Sequence, residues 1–291
     1  MSLNTALLAI LLQVGPNPVL EGPSDPTLEL RNRPPRENAL EAPKDPISKW
    51  LSECLDLVEA DPARAHTKAK IRRNETSGPA RVIANHCLGM ASTELGRWDD
   101  ARAAFLAARD ETPFNEPRAK ARAGIMAGNA SLVAGDAVGA ATLFGQARQD
   151  AQTAASATLQ AAAASDEARA LVALNRNDEA LTALDIATRL EPTNSEGWLL
   201  KATLLRRMER LEEAQTSIEQ AFQIDPLDGE IGLEAGVIAV LSGREDAARQ
   251  SWRSVIDTLP GSGAAKTAQD YLAQIGSNPT SLAEQPAPAT P

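Results

Sequence analysis

The residues with the most reactive side chains are few: two cysteines, Cys54 and Cys87, and two histidines, His66 and His86. The cysteines do not form a Cys-x-x-Cys pair, and with only two histidines a four-ligand zinc site is hard to assemble. His86 directly precedes Cys87, and because neighbours on a helix point about 100° apart, it is badly placed as a base for a cysteine nucleophile. The sequence also lacks a phosphate-binding loop, a dinucleotide fingerprint and a nucleophile elbow. We therefore predict no catalytic residue, no metal site and no cofactor.

A repeated unit organises the elements that carry these side chains. Within Ser195–Pro260 the second helix of each unit carries a small residue, a bulky residue four positions later and a closing proline. These positions are Ala214, Ile218 and Pro226 in the first copy, and Ala248, Trp252 and Pro260 in the second. Each residue of the second set follows its counterpart by 34 positions, so the sequence predicts two equivalent helix-turn-helix units laid end to end.

That period and that pattern resemble the tetratricopeptide repeat. Earlier units keep the pattern at longer spacings, so we expect longer helices or connections there. Gly96, Gly135 and Asn175 stand between the two helices of three units, where a left-handed residue ends a helix at low cost. The resemblance implies an all-α, right-handed α-solenoid of about six helix-turn-helix pairs over residues 47–275, with a C-terminal capping helix.

The same resemblance implies where a partner would bind. In this family the first helices of the pairs form a concave wall, which usually holds a peptide or a segment of a partner protein. The residues facing this groove would be His86, Met90, Arg122, Ile125, Asn129, Arg169, Val172, Leu199, Thr203 and Arg206. Of these, Arg169, Arg206 and Asn129 would orient the partner.

Apolar members of this set, namely Ile125, Val172 and Leu199, would supply the affinity. A clamp for two carboxylates, which is one known use of such grooves, needs charged or amide side chains on adjacent first helices. Ile125, Ser165 and Leu199 stand at those positions here, so we do not predict that clamp. The resulting hypothesis is a non-enzymatic scaffold that binds a protein or peptide partner.

In this architecture Cys54 and Cys87 fall on the first helices of adjacent repeats, which pack side by side. A disulfide between them would close a loop of about 33 residues and could add on the order of 3 kcal/mol. The alternative is two buried thiols that act as small hydrophobic residues. A disulfide would require an oxidising compartment, because the reducing cytosol does not sustain one.

The charge of the chain limits its partners. The formal net charge is −10, which argues against general nucleic-acid binding because that requires clustered cations. One basic cluster, formed by Arg64, Lys68, Lys70, Arg72 and Arg73, stands out. We interpret it first as a solvated helix face, and an acidic partner or lipid headgroups are the alternative.

The two ends of the chain differ from the helical body. Residues 1–14 include a short apolar run, and both a signal peptide and a locally docked helix are open interpretations, because no Lys or Arg precedes the run. Residues 15–46 are rich in proline and predict an extended linker, and residues 276–291 predict a disordered tail. If the chain is exported, it would serve in envelope assembly or secretion; otherwise we expect a cytoplasmic scaffold. No segment is predicted to cross a membrane.

Overall fold

The computed structural model describes residues 45–276, which contain 13 helices and no strand. The helices are α1 (Pro46–Ala60), α2 (Pro62–Glu75), α3 (Pro79–Glu94), α4 (Trp98–Glu111), α5 (Pro117–Val133), α6 (Ala137–Thr153), α7 (Ala157–Ala173), α8 (Asn177–Leu190), α9 (Ser195–Arg207), α10 (Leu211–Ile224), α11 (Gly229–Leu241), α12 (Glu245–Thr258) and α13 (Gly263–Gly276). The apolar segment predicted at 1–14, nearly all of the proline-rich stretch and the tail beyond 276 lie outside the described residues.

The helices form six antiparallel pairs, from α1 with α2 to α11 with α12, and each pair packs on the next. The last helix, α13, packs against α12 and α11. The predicted all-α solenoid of paired helices is therefore confirmed. Helices α5, α6 and α7 have 17 residues each, whereas α9 to α12 have 13 or 14; this difference accounts for much of the longer spacing of the earlier units.

Left-handed residues end the first helices of the second to sixth pairs. They are Gly96, Gly135, Asn175, Glu209 and Gly243, with φ between 58° and 88°. The amide after each of them bonds to a carbonyl five residues back, as Arg210 does to Leu205 at 2.9 Å. The sequence predicted this role for Asn175. It did not predict this role for Glu209, because a left-handed conformation has a steric cost for residues other than glycine and asparagine.

Several helix starts are fixed by side-chain caps. The Asp61 carboxylate accepts a hydrogen bond from the Arg64 amide at 3.0 Å, and Pro62 occupies the first turn of α2. The Asn194 side chain accepts from the Glu196 amide at 3.0 Å at the start of α9. These caps satisfy amides that have no partner within the helix, so local sequence sets where these helices begin.

Within three of the pairs, a glycine on the first helix lies against an aromatic ring on the second. These contacts join Gly89 to Phe105, Gly128 to Phe144 and Gly236 to Trp252. A methyl group at any of the three glycines would lie 2.0–2.5 Å from the nearest ring atom, well inside van der Waals contact. The missing side chain is therefore what lets the ring fill the space between the two helices.

Candidate functional site

The candidate site lies on the first-helix face, the surface formed by α3, α5, α7, α9 and α11. The residues predicted to face the groove differ in how exposed their side chains are. His86, Met90, Ile125, Val172 and Leu199 are partly buried. Met90, Ile125, Val172 and Leu199 pack on the edges of hydrophobic clusters of the core. These four side chains therefore stabilise the array in addition to any contact with a partner.

A pocket with a volume of 190 Å³ opens between α7 and α9. It brings together three of the predicted residues, Arg169, Val172 and Thr203. The remaining lining residues are Ser165, Ala168, Leu184, Leu200, Leu204 and Arg207. The wall is mainly aliphatic, with hydroxyl and guanidinium groups among its lining, which is the composition expected of a site for one apolar side chain.

Carboxylates of the array itself neutralise the charge of Arg169. Its guanidinium bonds to the Asp166 carboxylate on the same helix and to the Glu196 carboxylate on α9. The Asn129 amide on α5 donates to Asp166 at 3.3 Å. Four polar side chains therefore link three successive first helices. Burial raises the pKa of Asp166, while the charge and hydrogen bond of Arg169 act in the opposite direction.

Arg206 forms a second bridge between first helices. Its guanidinium donates to both carboxylate oxygens of Glu234 on α11, at 2.6 and 3.3 Å. Both side chains are mostly shielded from solvent, with 22% and 12% exposed, so this fork-like pair is stronger than an open surface pair. Arg206 is therefore placed to hold α9 on α11.

Arg122 differs from the other two groove arginines. It is exposed on α5 and forms no ion pair with another residue of the described range 45–276. Burial lowers the pKa of His86 on α3, and the positive charge of Arg122 lowers this pKa further. The His86 ring packs at a centroid distance of 6.1 Å and an angle of 64° against Phe105. This part of the face is therefore a partly buried imidazole with a lowered pKa beside an uncompensated cation.

Cys54 on α1 and Cys87 on α3 are joined by a disulfide, with their Cα atoms 6.3 Å apart. Both residues are fully buried. They belong to a cluster with Val58, Ala65 and Leu88. The bond therefore ties the terminal helix to the first helix of the next pair, and leaves no free cysteine in the described part of the chain.

Sequence reasoning missed Asp166, Glu196 and Glu234, which neutralise two of the three predicted groove cations, Arg169 and Arg206. A signal was present: Asp166 precedes Arg169 by three positions on one helix, which places the two on the same face. The bridges to α9 and α11 had no such local signal, because they depend on how neighbouring first helices pack.

Two further properties concern residues 45–276 only. No helix in this range is long and apolar enough to cross a bilayer. Within the same range, no three His, Cys, Asp or Glu side chains converge in a way that could hold a metal ion.

The fold and this face define a class of protein, the helical-repeat scaffolds whose stacked pairs present an extended surface. Comparison with known proteins makes the class specific. A family model described as tetratricopeptide repeat matches residues 165–214 and 199–262. Residues 165–262 therefore resemble proteins of the tetratricopeptide-repeat family, and the earlier units have the same helix-pair fold. Such proteins are generally non-catalytic scaffolds for protein–protein interaction.

Individual relatives support the fold. The Protein STIP1 homolog of Dictyostelium discoideum is 36% identical over 67 residues, which cover 23% of this chain and 12% of that protein, so the match spans only a small part of the relative. The solved structure of Pseudomonas aeruginosa PilF covers 78% of this chain and 97% of its own, with 14% identity and a TM-score of 0.58. MamA from Desulfovibrio magneticus RS-1 covers 61% of this chain and 94% of its own, with 15% identity and a TM-score of 0.51.

Proposed function

We propose that the first-helix face binds an extended segment of a partner protein, which places an apolar side chain in the pocket between α7 and α9. The pocket is the observation that supports this proposal most directly. Its volume of 190 Å³ suits one large aliphatic or aromatic side chain, and its aliphatic wall would gain about 1.5–3 kcal/mol from burying that side chain. The hydroxyls of Ser165 and Thr203 can bond to the backbone of the segment.

The charges on this face indicate what else the segment carries. Arg169 and Arg206 are compensated by carboxylates of the array, whereas Arg122 has no such partner among the described residues. An acidic side chain on the segment would therefore find its complement at Arg122. Adjacent first helices lie about 10 Å apart, so an extended segment of roughly six residues reaches from α5 to α9.

A site-specific crosslinking experiment tests this placement. A photoreactive benzoylphenylalanine replaces Ser165 at the pocket or, as the control, Gln146, which is exposed on the second helix α6. We expect a crosslinked partner from position 165, identified by mass spectrometry, and none from position 146. The charge reversal Arg122→Glu should remove the crosslink, whereas Arg189→Glu on α8 should not. Crosslinking from position 146 alone would refute the site, and an unchanged yield with Arg122→Glu would refute the acidic contact.

A second proposal concerns the compartment, and the disulfide supports it. We propose that the chain is an exported protein that acts in envelope assembly or secretion, because the Cys54–Cys87 bond is sustained in oxidising surroundings. Protein from fractionated cells should then contain no free thiol and should lack its original N-terminus. Two free thiols, together with an intact Met1 or Ser2 in the cytosolic fraction, would rule out export.

A further inference from the structure

Helix α2 has a charge opposite to that of the chain as a whole. Between Pro62 and Glu75 it carries five cations, Arg64, Lys68, Lys70, Arg72 and Arg73, and a single carboxylate, Glu75. The full chain has a net charge of −10. The second helix of the first pair is therefore a concentrated basic surface on an acidic protein.

Two of the five cations are held in place by α1. The Arg72 guanidinium lies 4.5 Å from the centroid of the Trp50 ring, and the Lys68 ammonium lies 5.8 Å from it. Lys68 also approaches the Glu53 carboxylate at 3.9 Å. Contact with the face of an indole stabilises a cation without neutralising its charge. The basic surface is thus partly preorganised by the helix beneath it.

The other three cations, Arg64, Lys70 and Arg73, form no ion pair with any residue in the described range. Arg97, in the turn between α3 and α4, likewise forms none. The positive charges of Lys70, Arg73 and Arg97 also act on His66. Burial lowers the pKa of His66 most, and Arg97, Lys70 and Arg73 lower it further, against the opposing effect of Asp100. Three cations therefore act together at His66, and among the charged groups that act on it a single carboxylate, Asp100, opposes them.

An apolar side chain is exposed on the same helix. Ile71 is 52% exposed, and around the helix it lies about 20° from Arg64 and about 100° from Lys70, on the side away from Arg73. Cations that flank an exposed aliphatic group match the boundary of a bilayer, where anionic headgroups lie beside acyl chains. Single-stranded nucleic acid would need aromatic rings free for base stacking, but the Trp50 ring beside this surface is occupied by Arg72.

We propose that α2, with Arg97, docks the protein on an anionic phospholipid surface. Arg64, Lys70, Arg73 and Arg97 contact the headgroups, and Ile71 enters the boundary with the acyl chains. The rest of the chain is acidic and is repelled by the same surface, so binding occurs through this end of the array and leaves the first-helix face open. The inference is independent of what that face binds.

Vesicle sedimentation of the full chain tests this proposal. The vesicles are phosphatidylcholine alone or phosphatidylcholine mixed with phosphatidylglycerol. The double variant Lys70→Gln/Arg73→Gln is compared with Arg253→Gln/Lys266→Gln, which removes two exposed, unpaired cations at the other end of the described chain. Both variants change the net charge equally, so only the location differs.

We expect binding to the phosphatidylglycerol vesicles alone. The α2 variant should lose about 30-fold in partition, which corresponds to about 1 kcal/mol for each cation removed, and the control variant should bind like the wild type. Equal losses in both variants, or equal binding to phosphatidylcholine, would overturn the proposal.

Two additional measurements separate the lipid from other polyanions. Ile71→Ser should weaken vesicle binding several-fold without changing the binding of soluble poly-glutamate or duplex DNA. Raising the salt concentration to about 1 M, where the screening length falls to about 3 Å, should abolish vesicle binding. If poly-glutamate or DNA binds tightly while vesicles do not, the surface serves an acidic protein or nucleic acid and the lipid proposal is wrong. Circular dichroism of each variant confirms that the helices remain folded.

Discussion

Replacing Gly128 by alanine tests how closely the two helices of a pair approach. The added Cβ would lie 2.5 Å from Cε1 of Phe144, 2.8 Å from Cδ1 and 2.9 Å from Cζ, whereas ordinary contact begins at 3.4 Å. Phe144 is completely buried, so its ring cannot turn into solvent. The ring or the helix must therefore shift by about 1 Å within a close-packed core.

The magnitude follows from two opposing effects. Overpacking of this kind costs about 1–3 kcal/mol, while exchanging glycine for alanine inside a helix gains about 1 kcal/mol. Gly145 provides the control, because it lies within α6 and its added Cβ would meet only Glu167 Oε1 at 3.6 Å. Gly145→Ala should therefore raise the free energy of unfolding. The difference between the two variants isolates the clash and should be about 1–3 kcal/mol.

Urea denaturation followed by circular dichroism measures both variants, and hydrogen exchange locates the effect. Because each repeat contacts only its neighbours, the increase in exchange should centre on α5 and α6 and decay along the array. The double variant Gly128→Ala/Phe144→Leu should recover part of the loss, since the smaller side chain can move away. Equal free energies of unfolding for Gly128→Ala and Gly145→Ala would refute the reasoning.

Three further predictions concern other parts of the array. Replacing both Cys54 and Cys87 by serine should cost about 3–4 kcal/mol by the entropy of the closed loop, seen as faster hydrogen exchange in α1 while α11 and α12 stay unchanged; uniform loss along the chain would contradict this. Burial keeps the pKa of His86 below its ordinary value of 6.5, so the unfolded chain takes up the proton first and the wild type should lose stability relative to His86→Gln as the pH falls below 6.5; parallel pH profiles from urea titrations would exclude it. Ala155 has φ of 49°, so Ala155→Gly should raise the free energy of unfolding by about 0.5–1 kcal/mol, whereas Ala154→Gly, at φ of −75°, should lower it.

The architecture was readable in the sequence because its determinants are local. A small residue and a bulky residue four positions later, recurring after 34 positions, specify how one helix packs on its partner, and Ala214 and Ala248 indeed lie fully buried in equivalent second helices. Gly96 and Asn175 marked turns that the structure confirms. Glu209 escaped prediction because tertiary packing imposes a left-handed conformation on a residue that does not favour it.

The candidate site was readable only in part. The sequence indicated which residues lie on the first helices, and Arg169, Val172 and Thr203 do line one pocket. The sequence predicted that Arg169 and Arg206 orient a partner. It did not reveal the carboxylates that pair with them, because Glu196 and Glu234 lie 27 and 28 residues further along the chain.

What the sequence determined and what the tertiary structure determined therefore differ in how far apart along the chain the contacting residues lie. Contacts within a helix or across one turn depend on residues a few positions apart, and sequence alone determined the helix pairs and several of their turns. Contacts between successive pairs depend on the rotation and translation of one pair on the next. Those small rigid-body displacements arise from all the side chains packed at the interface, and only the tertiary structure decided which cations of the face are neutralised and that Arg122 keeps its charge uncompensated within the described array.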